Sequence, residues 1–160
     1  MSRLDSVLNI EDLRRLAHRR VPAFAMAYVE AGAEDHVTLQ HNREIFRRWR
    51  FVPDALIEAE RRSLAVDILG KPAKLPFIVA PTGFNGMLCH QADILLARAA
   101  AQAGFPFALS TMSNAALEDV ANAAPGLRFW YQLYMFKDAA INRDLVRRAA
   151  PQGLAHEADA

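Results

Sequence analysis

Three short polar runs stand out in the second half of the chain, each placed where an apolar stretch ends. Pro81-Thr82-Gly83-Phe84-Asn85-Gly86 follows Phe77–Ala80, Ser110-Thr111-Met112-Ser113-Asn114 follows Phe107–Leu109, and Gln132 and Tyr134 fall at the end of Arg128–Leu133. Hydroxyl, carboxamide and phenol groups of this kind can hydrogen-bond a polar ligand. Each run also has a structural reading. Pro-Thr-Gly suits a tight turn, and Ser-Thr-x-Ser-Asn suits a helix cap, because Ser, Thr and Asn lead at N-caps. Gln132 is harder to assign to structure alone. A buried amide needs partners, and at a strand end facing a pocket a ligand can supply them.

The elements that must position these groups follow from hydrophobic periodicity. Phe77-Ile78-Val79-Ala80 is wholly apolar between Pro76 and Pro81, as for a strand buried on both faces. Ala92–Ala103 predicts a helix with Leu95, Ala99 and Ala103 in a row, stopped by Gly104. Phe107-Ala108-Leu109 is a second buried strand, Asn114–Ala123 a helix with Asn114 as N-cap, Arg128–Leu133 a third strand, and Asp138–Ala149 a helix with Ile141, Leu145 and Ala149 on one side. This βαβαβα order implies parallel strands with helices outside them. Chemistry in such folds sits at the C-terminal ends of the strands. The three polar runs therefore share one rim, and together they describe a pocket. A complete (β/α)₈ barrel needs about 250 residues, so three units within 160 residues read as the beginning of something longer.

Ahead of these units, residues 9–48 read as helical. Asn9 caps a helix with Glu11 and Asp12 in its first turn, and Leu13, Leu16 and Ala17 form its apolar side. Pro22 suits the first turn of a second helix that contains Phe24, Tyr28 and Val29 and ends near Gly32. A third stretch, Thr38–Arg48, has Leu39, Ile45 and Phe46 as its apolar members. Strand-like pieces around Leu64–Leu69 lead into a turn at Gly70-Lys71-Pro72. The expected organisation is a helical segment with its link at 1–74, three βα units at 75–149, and a tail at 150–160 in which Pro151 breaks the helix and no buried strand follows.

Bulk properties narrow the function classes. With 52% hydrophobic and 23% charged residues the chain suits a soluble globular protein, and the cytoplasm is its expected site. A net charge of +1 gives no pull towards nucleic acid or anionic membrane. The clusters Arg19-Arg20, Arg47-Arg48-Arg50 and Arg61-Arg62 are interleaved with acids such as Glu58 and Glu60, which favours a solvated surface over a phosphate track. Cys89 is the single cysteine, so no intramolecular disulfide can form. No apolar run reaches signal-peptide or membrane-span length.

APTGFNG at Ala80–Gly86, LSTMSN at Leu109–Asn114 and QLY at Gln132–Tyr134 occur in the order and spacing of the FMN-dependent α-hydroxy-acid dehydrogenases, which include glycolate oxidase, mandelate dehydrogenase and flavin L-lactate dehydrogenases. AYVEAGAEDHVTLQHN at Ala27–Asn42 resembles that family's Tyr-x-x-x-Gly-Ala-x-Asp-x-x-Thr-Leu-x-x-Asn segment, and FRRWRFVPDAL at Phe46–Leu56 resembles the link after it. The resemblance runs from about Asn9 to about Ala149. It implies an α/β fold in which an N-terminal helical segment is followed by the first three βα units of a (β/α)₈ TIM barrel, truncated, with FMN at the barrel mouth. Pro81, Thr82 and Gly83 would line the flavin, Ser110 and Gln132 would hydrogen-bond its pyrimidine edge, and Tyr28 and Tyr134 would offer phenols to a small 2-hydroxy-acid substrate.

Two departures bear on the site. Where members carry an aromatic or His followed by Pro-x-Gly-Glu/Asp, this chain has Cys89-His90-Gln91-Ala92-Asp93, and Met112 stands where some oxidases have Trp. The family's catalytic His, carboxylate-binding Arg and flavin-contacting Lys are expected beyond the end of this chain, and His18, His36, His41, His90 and His156 match none of those roles. The tail after Ala149 departs from the family's fourth strand, as a frameshift or a truncated reading frame would make it. The expected function is thus a fragment of an enzyme oxidising L-2-hydroxy acids of the lactate or mandelate type, inactive alone, whose intact relatives are homo-oligomers and in some cases attach to membranes. A non-catalytic binding module on a partial barrel is the alternative, and a flavin absorbance spectrum separates the two.

Overall fold

The structure is a computed structural model that describes residues 6–56 and 60–150. The chain divides into two compact units, Met1–Arg62 and Ser63–Ala160. The expected tail at 150–160 lies, from residue 151 on, outside the described residues.

The first unit is helical. Helix α1 spans Ile10–His18, and Asn9 caps it by accepting from the Asp12 N–H at 2.9 Å, as its sequence predicts. Asp12 Oδ2 accepts in turn from the Leu8 N–H at 2.9 Å, so the side chains of Asn9 and Asp12 together fix the entry of the chain into the helix. Helix α2 spans Ala23–Glu30 with Pro22 as its N-cap, and α3 spans Val37–Glu44 before tightening into a 3₁₀ turn at Ile45–Arg48. Glu30 joins α1 to α2, taking Arg14 Nε at 2.5 Å and His18 Nε2 at 2.9 Å on one carboxylate oxygen. The Arg14 guanidinium, with a smaller contribution from His18, holds that carboxyl down at about 2. The side chains that α2 buries are Ala25 and Met26, while Phe24, Tyr28 and Val29 are exposed.

The second unit begins with a β-hairpin. Strands β1 (Val66–Ile68) and β2 (Lys71–Ala73) pair antiparallel. The turn is Leu69-Gly70, both at positive φ (47° and 69°), the left-handed pair that a two-residue hairpin loop requires. Lys71 and Pro72, expected in the turn, are in the returning strand.

Next come the βα units: Val79, α4 (Ala92–Ala103), β3 (Phe107–Ser110), α5 (Leu117–Ala123), β4 (Phe129–Gln132) and α6 (Ala139–Ala149). Strand β3 pairs in parallel with β4, Phe107 opposite Phe129 and Ser110 opposite Gln132, and Val79 bridges in parallel to Phe107 on the other side. Gly104 ends α4 at φ 78°, the left-handed cap conformation that glycine takes without strain. One face of these strands packs on the helices. Phe107, Leu109 and Phe129, all 2% exposed or less, meet Ala97, Ala100, Leu117, Val120 and Ala149, and the rings of Phe107 and Phe129 stack at 5.6 Å between centroids. The opposite face carries Ala108, Ser110, Trp130 and Gln132.

Several expectations are corrected here. The run Phe77–Ala80 is not buried on both faces: only Val79 bridges, and Phe77 and Ile78 are 60% and 43% exposed. The buried stripe of α4 is Asp93, Ala97 and Ala100, not Leu95, Ala99 and Ala103, because small side chains let the helix lie close against the strands. Helix α5 starts at Leu117 rather than Asn114 and takes Ala116 as its N-cap, with no side-chain cap bond. Asp138 does cap α6, accepting from the Ala140 N–H at 2.7 Å. Across the two outer helices, Arg148 makes a two-pronged pair with Glu118 at 2.7 and 2.9 Å, which pulls the Glu118 carboxyl down to about 2.

Candidate functional site

The three polar runs meet at the C-terminal ends of the parallel strands, as the alternation requires. The sheet register sets the first contact. Ser110 and Gln132 are cross-strand partners, and Ser110 Oγ donates to Gln132 Oε1 at 3.1 Å while accepting from the Met112 N–H at 3.1 Å. Ser110 is 4% exposed, and its hydroxyl keeps one acceptor lone pair beyond these two bonds. Among the described residues Gln132 Nε2 has no partner, so an amide donor remains at the rim. Thr111 extends the strand pairing beyond β4. Its Oγ1 donates to the Gln132 carbonyl at 2.5 Å and accepts from the Tyr134 N–H at 2.9 Å. Tyr134, placed by that bond, is 58% exposed.

The loop after Val79 is held in place by the loop after β3. The Phe84 N–H donates to the Met112 carbonyl at 2.9 Å, and the Gly86 N–H to Asn114 Oδ1 at 2.9 Å. Asn114, expected as a helix cap, thus serves a tertiary contact instead. Both glycines are required by this packing. A Cβ on Gly83 would come within 2.8 Å of Met112 Cβ, and one on Gly86 within 2.8 Å of Asn114 Cβ. Among the described residues neither the N–H nor the C=O of Gly83 makes a hydrogen bond, so its peptide is available to a ligand. Thr82 is tied to the Asn85 side chain: its Oγ1 donates to Asn85 Oδ1 at 3.1 Å, and its carbonyl accepts from Asn85 Nδ2 at 3.1 Å. Pro81 is exposed beside it.

Two buried polar residues to which sequence reasoning gave no role pin the rim loops, the one after β4 included. Asp93 (2% exposed) accepts from Asn85 Nδ2 at 2.7 Å and from Ser113 Oγ at 2.8 Å. Asn142 (8% exposed), on α6, clasps the Phe136 peptide, accepting from its N–H and donating to its carbonyl at 2.8 Å each. A signal existed for both, namely a polar residue within the first turn or so of a helix that follows a rim loop. For Asp93 it is indistinguishable in sequence from ordinary dipole compensation, and for Asn142 from an ordinary polar helix residue. A cleft of about 290 Å³ lined by Gly86, Met87, His90, Asp93 and Asn114 adjoins the rim. A cleft of about 210 Å³ at the opposite strand ends, lined by Ala73, Gly104, Leu127 and Arg128, contains none of the polar runs.

The structure therefore brings together Pro81, Thr82, Gly83, Ser110, Gln132 and Tyr134. Tyr28 belongs to the other unit, on α2, and is 56% exposed. Among the described residues no group of three His, Cys, Asp or Glu side chains could hold a metal ion, and no helix is long and apolar enough to cross a membrane.

The family model for FMN-dependent dehydrogenase matches residues 17–156. The chain is 45% identical over 130 residues to (S)-mandelate dehydrogenase of Pseudomonas putida, covering 81% of this chain and 33% of that protein. It is 36% identical over 157 residues to L-lactate oxidase of a Nostoc species, covering 96% of this chain and 43% of the relative. Among solved structures it is similar to a soluble mutant of the membrane-associated mandelate dehydrogenase from Pseudomonas putida, with a TM-score of 0.87 at 43% identity, over 94% of this chain and 42% of that one. The flavin-binding domain of baker's yeast flavocytochrome b2 gives a TM-score of 0.87 at 30% identity, over 96% and 40%. The chain thus spans between a third and about two fifths of the length of these relatives. The parallel units of its second half are part of the TIM-barrel architecture of these flavoenzymes, open here rather than closed. With motifs, rim and fold in agreement, the chain belongs to the FMN-dependent dehydrogenase family, whose cofactor is FMN.

Proposed function

We propose that this chain supplies the first part of the flavin cradle of an enzyme that oxidises small L-2-hydroxy acids, of the lactate or mandelate type, to 2-oxo acids. The observation that carries the reading is the Ser110–Gln132 pair at matched strand ends, with the side-chain NH₂ of Gln132 unpartnered among the described residues. An isoalloxazine offers carbonyl and imide groups along its pyrimidine edge, and such an edge fits a rim of amide and hydroxyl groups. The free peptide of Gly83 fits the close approach of a flat ring. FMN, when bound, supplies the acceptor for the hydride equivalent that leaves the substrate's α-carbon.

The chain's own residues then divide the work. Gln132 and Ser110 hold and orient the pyrimidine edge, while Pro81, Thr82 and Gly83 form the wall against the ring. Tyr134, held through Thr111, presents its phenol to the substrate, and Tyr28 is assigned the same task from α2. Oxidation also needs a base for the substrate proton and a cation for its carboxylate. His90, the one histidine among the described residues of the second unit, makes no side-chain bond to the rim. This reading therefore places the base, the carboxylate anchor and the phosphate site in residues outside the 160, and the chain alone is expected to be inactive. The substrate is a small molecule rather than a nucleic acid, and the intact protein is proposed to be a homo-oligomer. One similar structure is described as a monotopic membrane protein. Since no helix among the described residues is long and apolar enough to cross a membrane, any attachment through them would be peripheral.

The test is flavin binding and turnover. The purified 160-residue chain should be colourless and should not reduce a dye with L-lactate or L-mandelate. In the natural protein that carries this segment, Gln132→Leu should weaken FMN binding. A yellow, active 160-residue chain would refute the expected inactivity of the chain alone, and Gln132→Leu protein with unaltered FMN affinity would refute the assignment of the cradle.

A further inference from the structure

We propose that Asp93 is a positioning residue for the flavin-facing rim, its buried carboxylate setting the spacing between the loop after Val79 and the loop after β3. The proposal rests on the reading of that rim as part of an FMN cradle. Asp93 sits in the first turn of α4, where a carboxylate complements the helix dipole from the surface without being buried. Here the side chain is turned inward and is 2% exposed. Each oxygen has a donor from a different loop: Asn85 Nδ2 on Oδ1 at 2.7 Å and Ser113 Oγ on Oδ2 at 2.8 Å. These are short, charge-assisted bonds to a buried carboxylate, a strong class of polar tether.

What the two donors do next gives the tether its reach. Asn85 holds both the hydroxyl and the carbonyl of Thr82, the residue before Gly83. Ser113 closes a turn on Ser110, its N–H donating to the Ser110 carbonyl at 3.1 Å, and its hydroxyl oxygen also accepts from the Ala115 N–H at 3.0 Å. Asp93 therefore stands two links from Thr82 on one side and two from Ser110 on the other. It touches no group assigned to flavin or substrate, and it acts only through Asn85 and Ser113. Without it the loops keep the bonds from Phe84 to Met112 and from Gly86 to Asn114 but lose the brace behind Thr82 and Ser110. The rim can then spread, carrying the free Gly83 peptide away from the Ser110–Gln132 pair.

The test uses the natural flavoprotein that carries this segment. Asp93→Asn replaces an acceptor-only group with one that presents N–H towards a donor, and Ser113→Ala removes one arm while leaving Asp93 bonded to Asn85. Both should shift the bound flavin's visible absorption band and its reduction potential. Both should lower kcat on the order of ten- to a hundredfold, the scale of a small misplacement of reacting groups, with KM changing less. The double variant should be no worse than Asp93→Asn alone, since both cut one tether. If Asp93→Asn or Ser113→Ala lowers the melting temperature while band position, potential and kcat stay at wild-type values, Asp93 is a stability residue only and the proposal is overturned. If Asp93→Asn does not fold, Ser113→Ala decides by the same readouts. A wild-type protein with no flavin absorbance removes the underlying FMN reading, and this proposal with it, whatever the variants do.

Discussion

Replacing Gly86 with alanine tests what the loop after Val79 rests on. The new Cβ would lie 2.8 Å from Asn114 Cβ and 2.9 Å from its Cγ and Oδ1, whereas ordinary contact begins at 3.4 Å. The two loops would have to part by about 0.6 Å, the difference between those distances. That movement also stretches the bond from the Gly86 N–H to Asn114 Oδ1, now 2.9 Å. Overpacking of this kind costs about 1–3 kcal/mol, and a weakened hydrogen bond adds about 0.5–1 kcal/mol. Against this, Gly86 lies in the 3₁₀ turn Asn85–Met87 and is not among the positive-φ glycines. Alanine therefore gains about 0.5–1 kcal/mol from a less disordered unfolded chain. The net expectation is a loss of about 1–3 kcal/mol, read as a lower urea midpoint at unchanged slope. Asn114 supplies the control. Asn114→Ala keeps the offending Cβ, whereas Asn114→Gly removes it. In double-mutant cycles Gly86→Ala should couple to Asn114→Gly by about 2 kcal/mol and to Asn114→Ala by well under half of that. A neutral Gly86→Ala, or rescue by neither partner, would show that the contact does not explain the glycine.

Two further predictions concern the loop after β4 and the outer helices. Asn142→Ala leaves the N–H and carbonyl of Phe136 without their partners, so stability should fall by about 1–3 kcal/mol; hydrogen exchange at the Phe136 amide should quicken selectively, and unchanged protection would sink the argument. Glu118, held at about 2 against an ordinary 4.5, contributes stability that is fully present above pH 4.5 and is lost as pH falls towards 2. Because Glu118 and Arg148 are 36% and 42% exposed, solvent screening limits the effect to under about 1 kcal/mol. Glu118→Gln should lower the melting temperature slightly at pH 7, should not at pH 2, and the difference should shrink in high salt.

Much of the architecture could be read from local signals. Asn9 acts as the N-cap its place before an apolar helical pattern predicts, and Gly104 ends α4 because only glycine takes φ 78° without strain. The rim's residue types were legible too, since Ser110 and Gln132 interrupt apolar strands. What escaped was whatever tertiary contact decides. Asn114 has the composition of a cap, yet its amide is claimed by Gly86, twenty-eight residues away. Asp93 looks like any first-turn acid until Asn85 and Ser113 fold onto it. In α4 the larger residues suggested a Leu95 face, but the alanines are buried, since close approach to a parallel strand selects for small side chains. Phe77 and Ile78 show that an apolar run does not fix which neighbours cover it.

The pairing of Phe107 with Phe129 and of Ser110 with Gln132 has a consequence for how this segment can evolve. Alternate residues of β3 and β4 serve opposite masters, one set the helix-packed core and the other the rim-bearing face. A one-residue insertion or deletion inside either strand would exchange the sets, sending Trp130 or Gln132 into the core and Phe129 or Tyr131 to the site. Length change there is penalised twice, once in folding and once in ligand binding. The connections at the other end of the strands, through Gly104 and Gly126, carry no such double duty. Indels tolerated by this family are therefore expected at those connections, while β3 and β4 diverge by substitution alone.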